Sequence, residues 1–350
     1  MRLRHQLMAG SLTLVLAASA LADDVVLVPN STVKGAVGGR VRGTIESEST
    51  ASVVVKLGAT TTTVPTGEIA SISYTGQPPV MVQAESRESA GSLAEAVDLY
   101  KKAASEAEGK PLIQRAAQFL QANASAELAL SDASKAPEAI KLLETFVRAH
   151  PNGRQVVSAY DNLARLQLQK NDYAAVEKTV AAMSKLPQSA DRAAVLRAKV
   201  FAKQGEYDKA IAEYDRLIKS GPEGSFRQRE AMLAKGESLA GQKKYADAEK
   251  LVRSVIKAAP AEDVQTQSAA YNTLGDCLRE AGRPKEALDA YLHTDILFSK
   301  DKEQHPRALA QISHLWRVLK RDDRADEVWQ QLKKDYPHSK WLASRSESNP

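Results

Sequence analysis

The histidine and cysteine side chains are the residues whose spacing would indicate a catalytic or metal site. No two of the six histidines lie four positions apart, so the imidazole pair that a helix can offer to zinc is missing. One cysteine, Cys277, cannot form an intramolecular disulfide or a multi-cysteine metal site, and no histidine stands beside it. No Gly-x-Ser-x-Gly motif occurs. The sequence therefore predicts a protein that is not an enzyme and that uses no cofactor or metal. Cys277 itself is predicted to be a buried structural thiol.

A glycine cluster near the N-terminus is the remaining candidate for chemistry. Gly35, Gly38, Gly39 and Gly43 suggest a phosphate-binding loop, but that loop needs a second glycine five positions after the first, where this chain has Arg40. A dinucleotide-binding motif would require a helix directly after the glycines, and no helical pattern follows. We interpret these glycines as residues that permit hairpin turns.

The amino-acid composition limits the kinds of partner that the protein is expected to bind. The 48 Lys and Arg residues exceed the 43 Asp and Glu residues by only five, and they are not concentrated as a nucleic-acid-binding face requires. The aromatic residues, 10 Tyr, 5 Phe and 3 Trp, are few for a surface that stacks bases or sugars. The hydrophobic fraction of 43% is ordinary and predicts a sizeable buried core.

The first 22 residues have the pattern of a secretory signal peptide. Arg2 and Arg4 precede an apolar run at 7–18, and Ala20 and Ala22 supply the small residues of a cleavage site. A membrane anchor is the alternative, but crossing a bilayer takes about 20 apolar residues and this run is shorter. We predict cleavage after Ala22, export to the periplasm or the exterior, and no stable membrane insertion afterwards.

Residues 23–78 are predicted to form a small β domain, because Thr, Val and Ser are dense there and helical periodicity is absent. The turn signals are Gly58-Ala59 and Pro65-Thr66-Gly67. Four strands are predicted, at 40–48, 52–57, 61–64 and 68–74, and a short apolar run precedes them at 25–28. With its glycine-containing first hairpin and closing Glu-Ile-x-x-Ile strand, the segment resembles a small barrel of the SH3-like or Sm-like class.

From residue 79 to 341 the chain is rich in alanine and repeats a helical pattern. In one copy Gly205 marks a turn, Ala210 and Tyr214 share a helical face, and Pro222 ends the helix. The equivalent small residues in successive copies are separated by 34 to 43 positions, which predicts helix–turn–helix repeats. These residues are Ala96, Ala139, Val176, Ala210, Ala248, Ala287 and Ala325.

A partner helix precedes each of these helices, and its residue order carries a family resemblance. Tyr271, Leu274 and Leu278 surround the small residue Gly275, and the combined pattern resembles the tetratricopeptide repeat family. The resemblance implies a mainly α fold: a solenoid of about seven helix–turn–helix repeats, preceded by the small all-β barrel and followed by a polar tail at 342–350. It also implies a concave surface, lined by the first helix of each pair, that binds a protein or peptide.

Aligning the repeats places a set of charged and polar residues on that concave surface. Basic residues cluster at 192–203 and 307–317, whereas the Lys/Asn pair that clamps a peptide carboxylate in some relatives of this family is missing, which disfavours a chaperone-tail adaptor. The candidate partner-binding residues are Asp161, Arg165, Arg192, Lys199, Lys203, Asn272, Asp276, Arg279, Arg307, His314 and Arg317.

Three functional hypotheses remain. Residues 146–153 and 332–339 resemble the repeat endings of bacterial envelope scaffolds, such as outer-membrane-assembly lipoproteins, although this chain lacks their lipidation cysteine. The leading hypothesis is an exported, non-enzymatic scaffold that binds a protein or peptide partner. The alternatives are a structural envelope protein that self-assembles into homo-oligomers, and a carbohydrate-binding or enzyme-accessory protein that acts through the β domain. The last is disfavoured because Tyr74 is the only aromatic residue between positions 23 and 79.

Overall fold

The computed structural model of the chain describes residues 22–28, 31–187, 189–337, 339 and 341–342. The predicted signal peptide, apart from Ala22, and the tail beyond residue 342 lie outside the described residues. Within the described part of the chain, every helix is too short or too polar to cross a bilayer.

Five antiparallel strands open the described chain. They are β1 (Asp23–Leu27), β2 (Arg40–Glu48), β3 (Ser52–Leu57), β4 (Thr60–Pro65) and β5 (Ile69–Ser73), and they form one sheet in the order β4-β3-β2-β1-β5. The predicted strands at 40–48 and 52–57 coincide with β2 and β3. The predicted strand at 68–74 is one residue too long at each end, because Glu68 belongs to a 3-10 turn between β4 and β5.

Alternation along the strands explains which face of the sheet is buried. Val53 and Val55 on β3 are almost completely buried, whereas the side chain between them is partly exposed, as expected for a strand with one face on the core. The glycines before β2 lie in turns: Gly35, Gly38 and Gly39 have φ angles of 86°, 58° and 72°. This left-handed backbone favours glycine and confirms the interpretation of these three as turn residues. For Gly43 the same prediction is wrong, because this glycine lies within β2 and pairs with Asp23 of β1.

The described chain then continues as fourteen α-helices in seven consecutive pairs, which confirms the predicted mainly α repeat fold. The pairs are α1 (Pro79–Ser89) with α2 (Leu93–Glu106), α3 (Pro111–Ser131) with α4 (Ala136–Ala149), α5 (Val156–Gln169) with α6 (Tyr173–Met183), α7 (Ala190–Lys203) with α8 (Tyr207–Ser220), α9 (Phe226–Gly241) with α10 (Tyr245–Ala258), α11 (Val264–Glu280) with α12 (Pro284–Leu297), and α13 (Gln304–Val318) with α14 (Asp322–Asp335).

Small residues at the helix crossings explain why the pairs stack. All seven predicted small residues, from Ala96 to Ala325, lie on the second helix of their pair and are 0% exposed. Large side chains such as Tyr214 and Tyr291 fill the space beside them and are themselves fully buried. Helices approach closely where a small residue faces the partner helix, and the neighbouring bulky residues then fill the groove. The predicted turns also lie between helices, with a φ of 78° at Gly205.

The sheet and the first helices share one hydrophobic core. Val25 and Val64 of the sheet belong to the same buried cluster as Val80 and Met81 of α1 and Tyr100 of α2. Apolar contacts thus continue from the sheet into the helices across position 78, where the sequence predicts a domain boundary.

Candidate functional site

The first helices of five successive pairs line a groove with a volume of about 560 Å³. Its walls come from α5, α7, α9, α11 and the beginning of α13. The lining residues are Asp161, Arg165, Arg192, Val195, Leu196, Lys199, Phe226, Glu230, Leu233, Ala234, Glu237, Val264, Gln265, Thr266, Ala269, Thr273, Asp301, Glu303, Gln304 and Arg307.

The groove brings together five of the eleven residues predicted from the sequence. These are Asp161, Arg165, Arg192, Lys199 and Arg307. Asn272 and Asp276 lie behind the lining; Asn272 is 0% exposed and its side-chain amide donates to the carbonyl and side-chain oxygens of Gln304. Lys203 lies at the end of α7, away from the groove lining.

A second group of predicted residues lies towards the ends of α11 and α13. Arg279 pairs with Glu280 at 3.5 Å, and Arg317 pairs with Asp326 at 3.1 Å. Burial, followed by the positive charges of Arg279 and Arg317, lowers the pKa of His314 below its ordinary value. These three basic residues are outside the groove lining.

Ion pairs between neighbouring first helices occupy the charged side chains of the groove. Arg192 donates two hydrogen bonds to the carboxylate of Asp161, from Nε at 2.9 Å and from Nη2 at 2.6 Å. Lys199 Nζ lies 3.1 Å from Glu230 Oε1 one repeat further on. In both pairs the partners are 31 residues apart. Two basic residues of the stretch at 192–203, Arg192 and Lys199, therefore neutralise acidic groups of adjacent helices.

The pair of Arg307 and Asp276 extends this arrangement, again at a separation of 31 residues. Burial lowers the pKa of the Arg307 guanidinium, but the charges of Asp276 and Glu237 outweigh it and hold that pKa above its usual range. Asp276 also accepts a hydrogen bond from the hydroxyl of Tyr291 at 2.5 Å, and the pKa of this buried phenol is raised by burial and by that carboxylate. Asp276 thus joins α11 to α12 and α13.

Two large apolar side chains of the groove lining are open to solvent. Phe226 and Val264 are each 39% exposed, although large hydrophobic side chains are usually buried. They are the first residues of α9 and α11, so they occupy the same position in two successive repeats. Leu233 and Ala234 continue this surface into the wall.

Phe226 and Val264 were missed from the sequence because they precede the repeated small and bulky residues that define the pattern. The available signal was a large apolar residue directly after a helix cap. Ser225 and Asp263 cap α9 and α11 by accepting hydrogen bonds from the backbone of Gln228 and Thr266.

Outside the groove, the ionisable side chains make contacts that belong to the packing of the helices. No group of three or more His, Cys, Asp and Glu residues suited to a metal ion occurs within the ranges that the structure describes. Cys277 is 1% exposed, and burial followed by the nearby carboxylates of Asp276 and Glu237 raises the pKa of its thiol to about 12. The prediction of a buried structural thiol is confirmed.

A hydrogen-bonded histidine joins the last two helix pairs. His305 shares hydrogen bonds of 2.8 Å with the hydroxyl of Tyr336 and with Asp295 Oδ1. Its side chain is only 5% exposed, so this chain of hydrogen bonds positions α13 between α12 and the end of α14 and presents no reactive face to solvent. Sequence reasoning missed it because the three residues are distant along the chain.

Solved structures share this arrangement of helices. A tetratricopeptide repeat protein from Parabacteroides merdae superposes with a TM-score of 0.51 at 14% identity, over 73% of this chain and 91% of that one. Rap protein, solved in complex with Competence and Sporulation Factor, superposes with a TM-score of 0.53 at 12% identity, over 75% of this chain and 76% of that one. At these identities the similarity concerns the fold. A search of curated proteins finds no match.

Sequence models of repeat families match the same helices. One tetratricopeptide repeat model matches residues 162–225, 195–263 and 233–294, and a second matches residues 308–339. The helices in these ranges therefore match the sequence pattern of tetratricopeptide repeats.

Proposed function

We propose that this protein is an exported, non-enzymatic scaffold that binds a protein or peptide partner in the groove. The observation that carries the proposal is a groove of about 560 Å³ on the first helices of five repeats, in which Phe226 and Val264 remain open to solvent. Tetratricopeptide repeats are typically protein-interaction modules. Rap protein, which has a similar fold, was solved in complex with Competence and Sporulation Factor.

The pairing of charges in the groove determines how such a partner is recognised. Arg192 and Lys199 already have carboxylate partners at hydrogen-bonding distance, so an acidic ligand would have to displace Asp161 and Glu230. Burying apolar surface is favourable by about 25 cal/mol per Å². We therefore assign most of the affinity to apolar side chains of the partner that pack against Phe226 and Val264.

Export is proposed from the N-terminal sequence. The basic residues, the apolar run and the small residues before Asp23 support it, and all of them except Ala22 lie outside the described residues. The test is to express the complete chain with its own leader in a bacterial host, fractionate the cells and sequence the N-terminus of the product. The proposal requires a periplasmic or secreted protein that begins at Asp23; an intact Met1 in the cytoplasm would contradict it.

The sheet is proposed to be a small barrel of the SH3-like or Sm-like class. Its strand order β4-β3-β2-β1-β5 and the 3-10 turn at Thr66–Glu68 support this identity. The shared core with α1 and α2 gives the sheet a second role as the N-terminal cap of the array. Repeat arrays need such a cap, because the terminal repeat has no neighbour to cover its apolar face.

The groove proposal is tested by selecting peptides from a random displayed library on the mature full-length protein. Affinities of the selected peptides are then measured by fluorescence anisotropy for the wild type, Phe226→Ala and Val264→Ser. The control is Leu57→Ser, because Leu57 is 64% exposed on the sheet. The groove variants should lose about tenfold in affinity, equivalent to about 1.4 kcal/mol, and the control should lose none. Peptides that bind all four proteins equally would exclude the groove as their site.

A further inference from the structure

Two charged residues from the third and the seventh helix pairs meet across the groove. Arg165 lies on α5 in the third helix pair, and Glu303 directly precedes α13 in the seventh. Although 138 residues separate them, Arg165 Nη2 lies 3.4 Å from both carboxylate oxygens of Glu303. Residues four repeats apart are not stacking neighbours in a repeat array. The array therefore curves far enough for its last pair to return to its third.

The residue beside Glu303 makes a second contact of this kind. Lys302 Nζ lies 3.2 Å from the position that a β-carbon would occupy on Gly91, in the turn between α1 and α2. Burial and repulsion from Glu88 raise the pKa of Glu127 on α3, and the positive charges of Arg165 and Lys302 oppose that shift. Lys302 thus places its charge near acidic groups of the first two pairs.

The loop that carries these two residues is held firmly at its base. Asp301 Oδ1 accepts backbone hydrogen bonds of 2.9 Å from Glu303 and Gln304, which caps the start of α13. Asp301 Oδ2 accepts a hydrogen bond of 2.6 Å from the hydroxyl of Ser268 on α11. The loop is therefore fixed to α11 and α13, and Lys302 and Glu303 project from it towards the other end of the array.

We propose that residues 299–303 form an electrostatic latch that closes the array into a ring around the groove, and that a partner enters when this latch opens. The entry of a partner through the opened latch rests on the proposed function. The side chain of Glu303 is 68% exposed and that of Arg165 is 36% exposed, so their contact is the weak kind that salt screens. Such a contact can hold the ring closed at rest and still release it readily.

The closed state is tested by cross-linking Arg165→Cys with Glu303→Cys in the mature full-length chain. The native Cys277 is buried and does not compete. A short, reducible bis-methanethiosulfonate linker, which replaces the length that the arginine and glutamate side chains span, should join the two introduced cysteines within one chain. The control pair is Lys178→Cys with Glu303→Cys, because Lys178 is an exposed residue on α6, the second helix of the third pair. A yield no higher than that of the control pair overturns the latch.

Small-angle X-ray scattering gives an independent measurement. Arg165→Glu should increase the radius of gyration, as should raising salt from about 50 mM to about 500 mM for the wild type, because the Debye length then falls well below 10 Å. The exchanged pair Arg165→Glu with Glu303→Arg should restore the compact wild-type value, which separates lost attraction from misfolding. A radius that stays constant in all these conditions overturns the latch.

The entry of a partner is measured with library-selected peptides by stopped-flow fluorescence. The cross-linked protein should associate about tenfold more slowly than the wild type, and reduction of the linker should restore the rate. An association rate that the cross-link leaves unchanged overturns the role of the latch in entry. If no peptide binds any variant, the proposed function fails, whereas cross-linking and scattering still decide whether the ring closes.

Discussion

The ring of Tyr291 lies against the backbone of Gly275, where a β-carbon would come within 2.6 Å of the ring atoms. Gly275 is on α11 and Tyr291 on α12, and the tyrosine is 0% exposed with its hydroxyl bonded to Asp276. The aromatic ring of Tyr291 cannot move away from Gly275 without losing its hydrogen bond to Asp276. The absence of a side chain at position 275 therefore sets the distance between the two helices of the sixth pair.

Replacing this glycine should destabilise the protein. Gly275→Ala forces the ring or the helices apart, and overpacking of this kind costs about 1–3 kcal/mol. The helix-favouring effect of alanine offsets it by about 1 kcal/mol at most. Urea denaturation followed by circular dichroism measures the difference. The control is Gly67→Ala, because a β-carbon there meets nothing within 4 Å. A Gly275→Ala variant as stable as the control would refute the packing argument.

The bidentate pair of Arg192 and Asp161 should stabilise the array in addition to lining the groove. Arg192→Ala removes the link between α5 and α7. Since the Arg192 side chain is 39% exposed, solvent screens the pair, and a double-mutant cycle with Asp161→Asn should give a coupling of only about 0.5–1 kcal/mol. Lys203→Ala, at the exposed end of the same helix, is the comparison. A coupling of zero would show that the pair is not formed in solution.

The helices, strands and turns that depend on neighbouring or regularly recurring residues were predictable from the sequence. Ala210, Ala248 and Ala287 mark their helix crossings because each repeat reuses the same packing solution, and strands β2 and β3 follow from their alternation of residues. The spacing of turn glycines such as Gly205 gave the breaks between helices. These features depend on residues that are close in sequence or that recur at a fixed interval.

The contacts across the groove were not predictable in this way. Arg192 and Asp161 were both predicted to bind a partner, but their ion pair with each other was not predicted. The contact of Arg165 with Glu303 depends on the curvature of the whole array, which accumulates from a small rotation at each repeat interface. The sequence of a single repeat does not determine this accumulated curvature. A charged residue on a helix face also looks the same in sequence whether its partner is a ligand or a neighbouring helix.

Asp263 should make stability depend on pH in the acidic range. Burial raises the pKa of its carboxyl, but hydrogen bonds from Thr266 and the charge of Arg229 outweigh that effect and lower the pKa below its unfolded value of about 3.9. The resulting stabilisation is complete above that unfolded value. It is lost as the pH falls through the lower folded value.

The corresponding variant is Asp263→Asn, which keeps a capping oxygen and removes the charge. It should be less stable than the wild type by about 1–2 kcal/mol at pH 7, and the difference should shrink below about pH 4. Asp172→Asn is the matched control, because Asp172 caps α6 without an ion pair in the described part of the chain. Denaturant midpoints at several pH values provide the measurement. A difference that does not change with pH would rule out the charge effect.

The thiol of Cys277 should be unreactive in the native protein. With a pKa of about 12, only about one molecule in 10⁴ carries a thiolate at pH 8, and the side chain is also buried. Ellman's reagent should therefore react with the folded protein far more slowly than with protein unfolded in guanidinium chloride. Rapid titration of one thiol per folded chain would mean that α11 opens or that Cys277 is exposed.

Glu48 should hold the sheet on the helical array. Its side chain is 0% exposed; Arg115 of α3 donates to it at 2.6 Å, and Arg154 lies 3.6 Å away. The hydroxyl of Tyr74 donates to the other carboxylate oxygen, and the pKa of that phenol is raised by burial and by the carboxylate. One buried carboxylate thus joins the sheet to two helix pairs.

Glu48→Gln would leave two partly buried guanidinium groups without their shared counter-charge. Removing one partner of a buried ion pair costs about 3–5 kcal/mol. Glu46→Gln on the same strand is the control, since Glu46 and its partner Lys56 are about half exposed and their pair contributes about 1 kcal/mol at most. We expect denaturant unfolding to show this difference, and hydrogen exchange to quicken first in β2 and α3. Equal stabilities for the two variants would mean that the apolar core around Val80 and Met81 alone holds the sheet in place, because the buried carboxylate would then contribute nothing measurable.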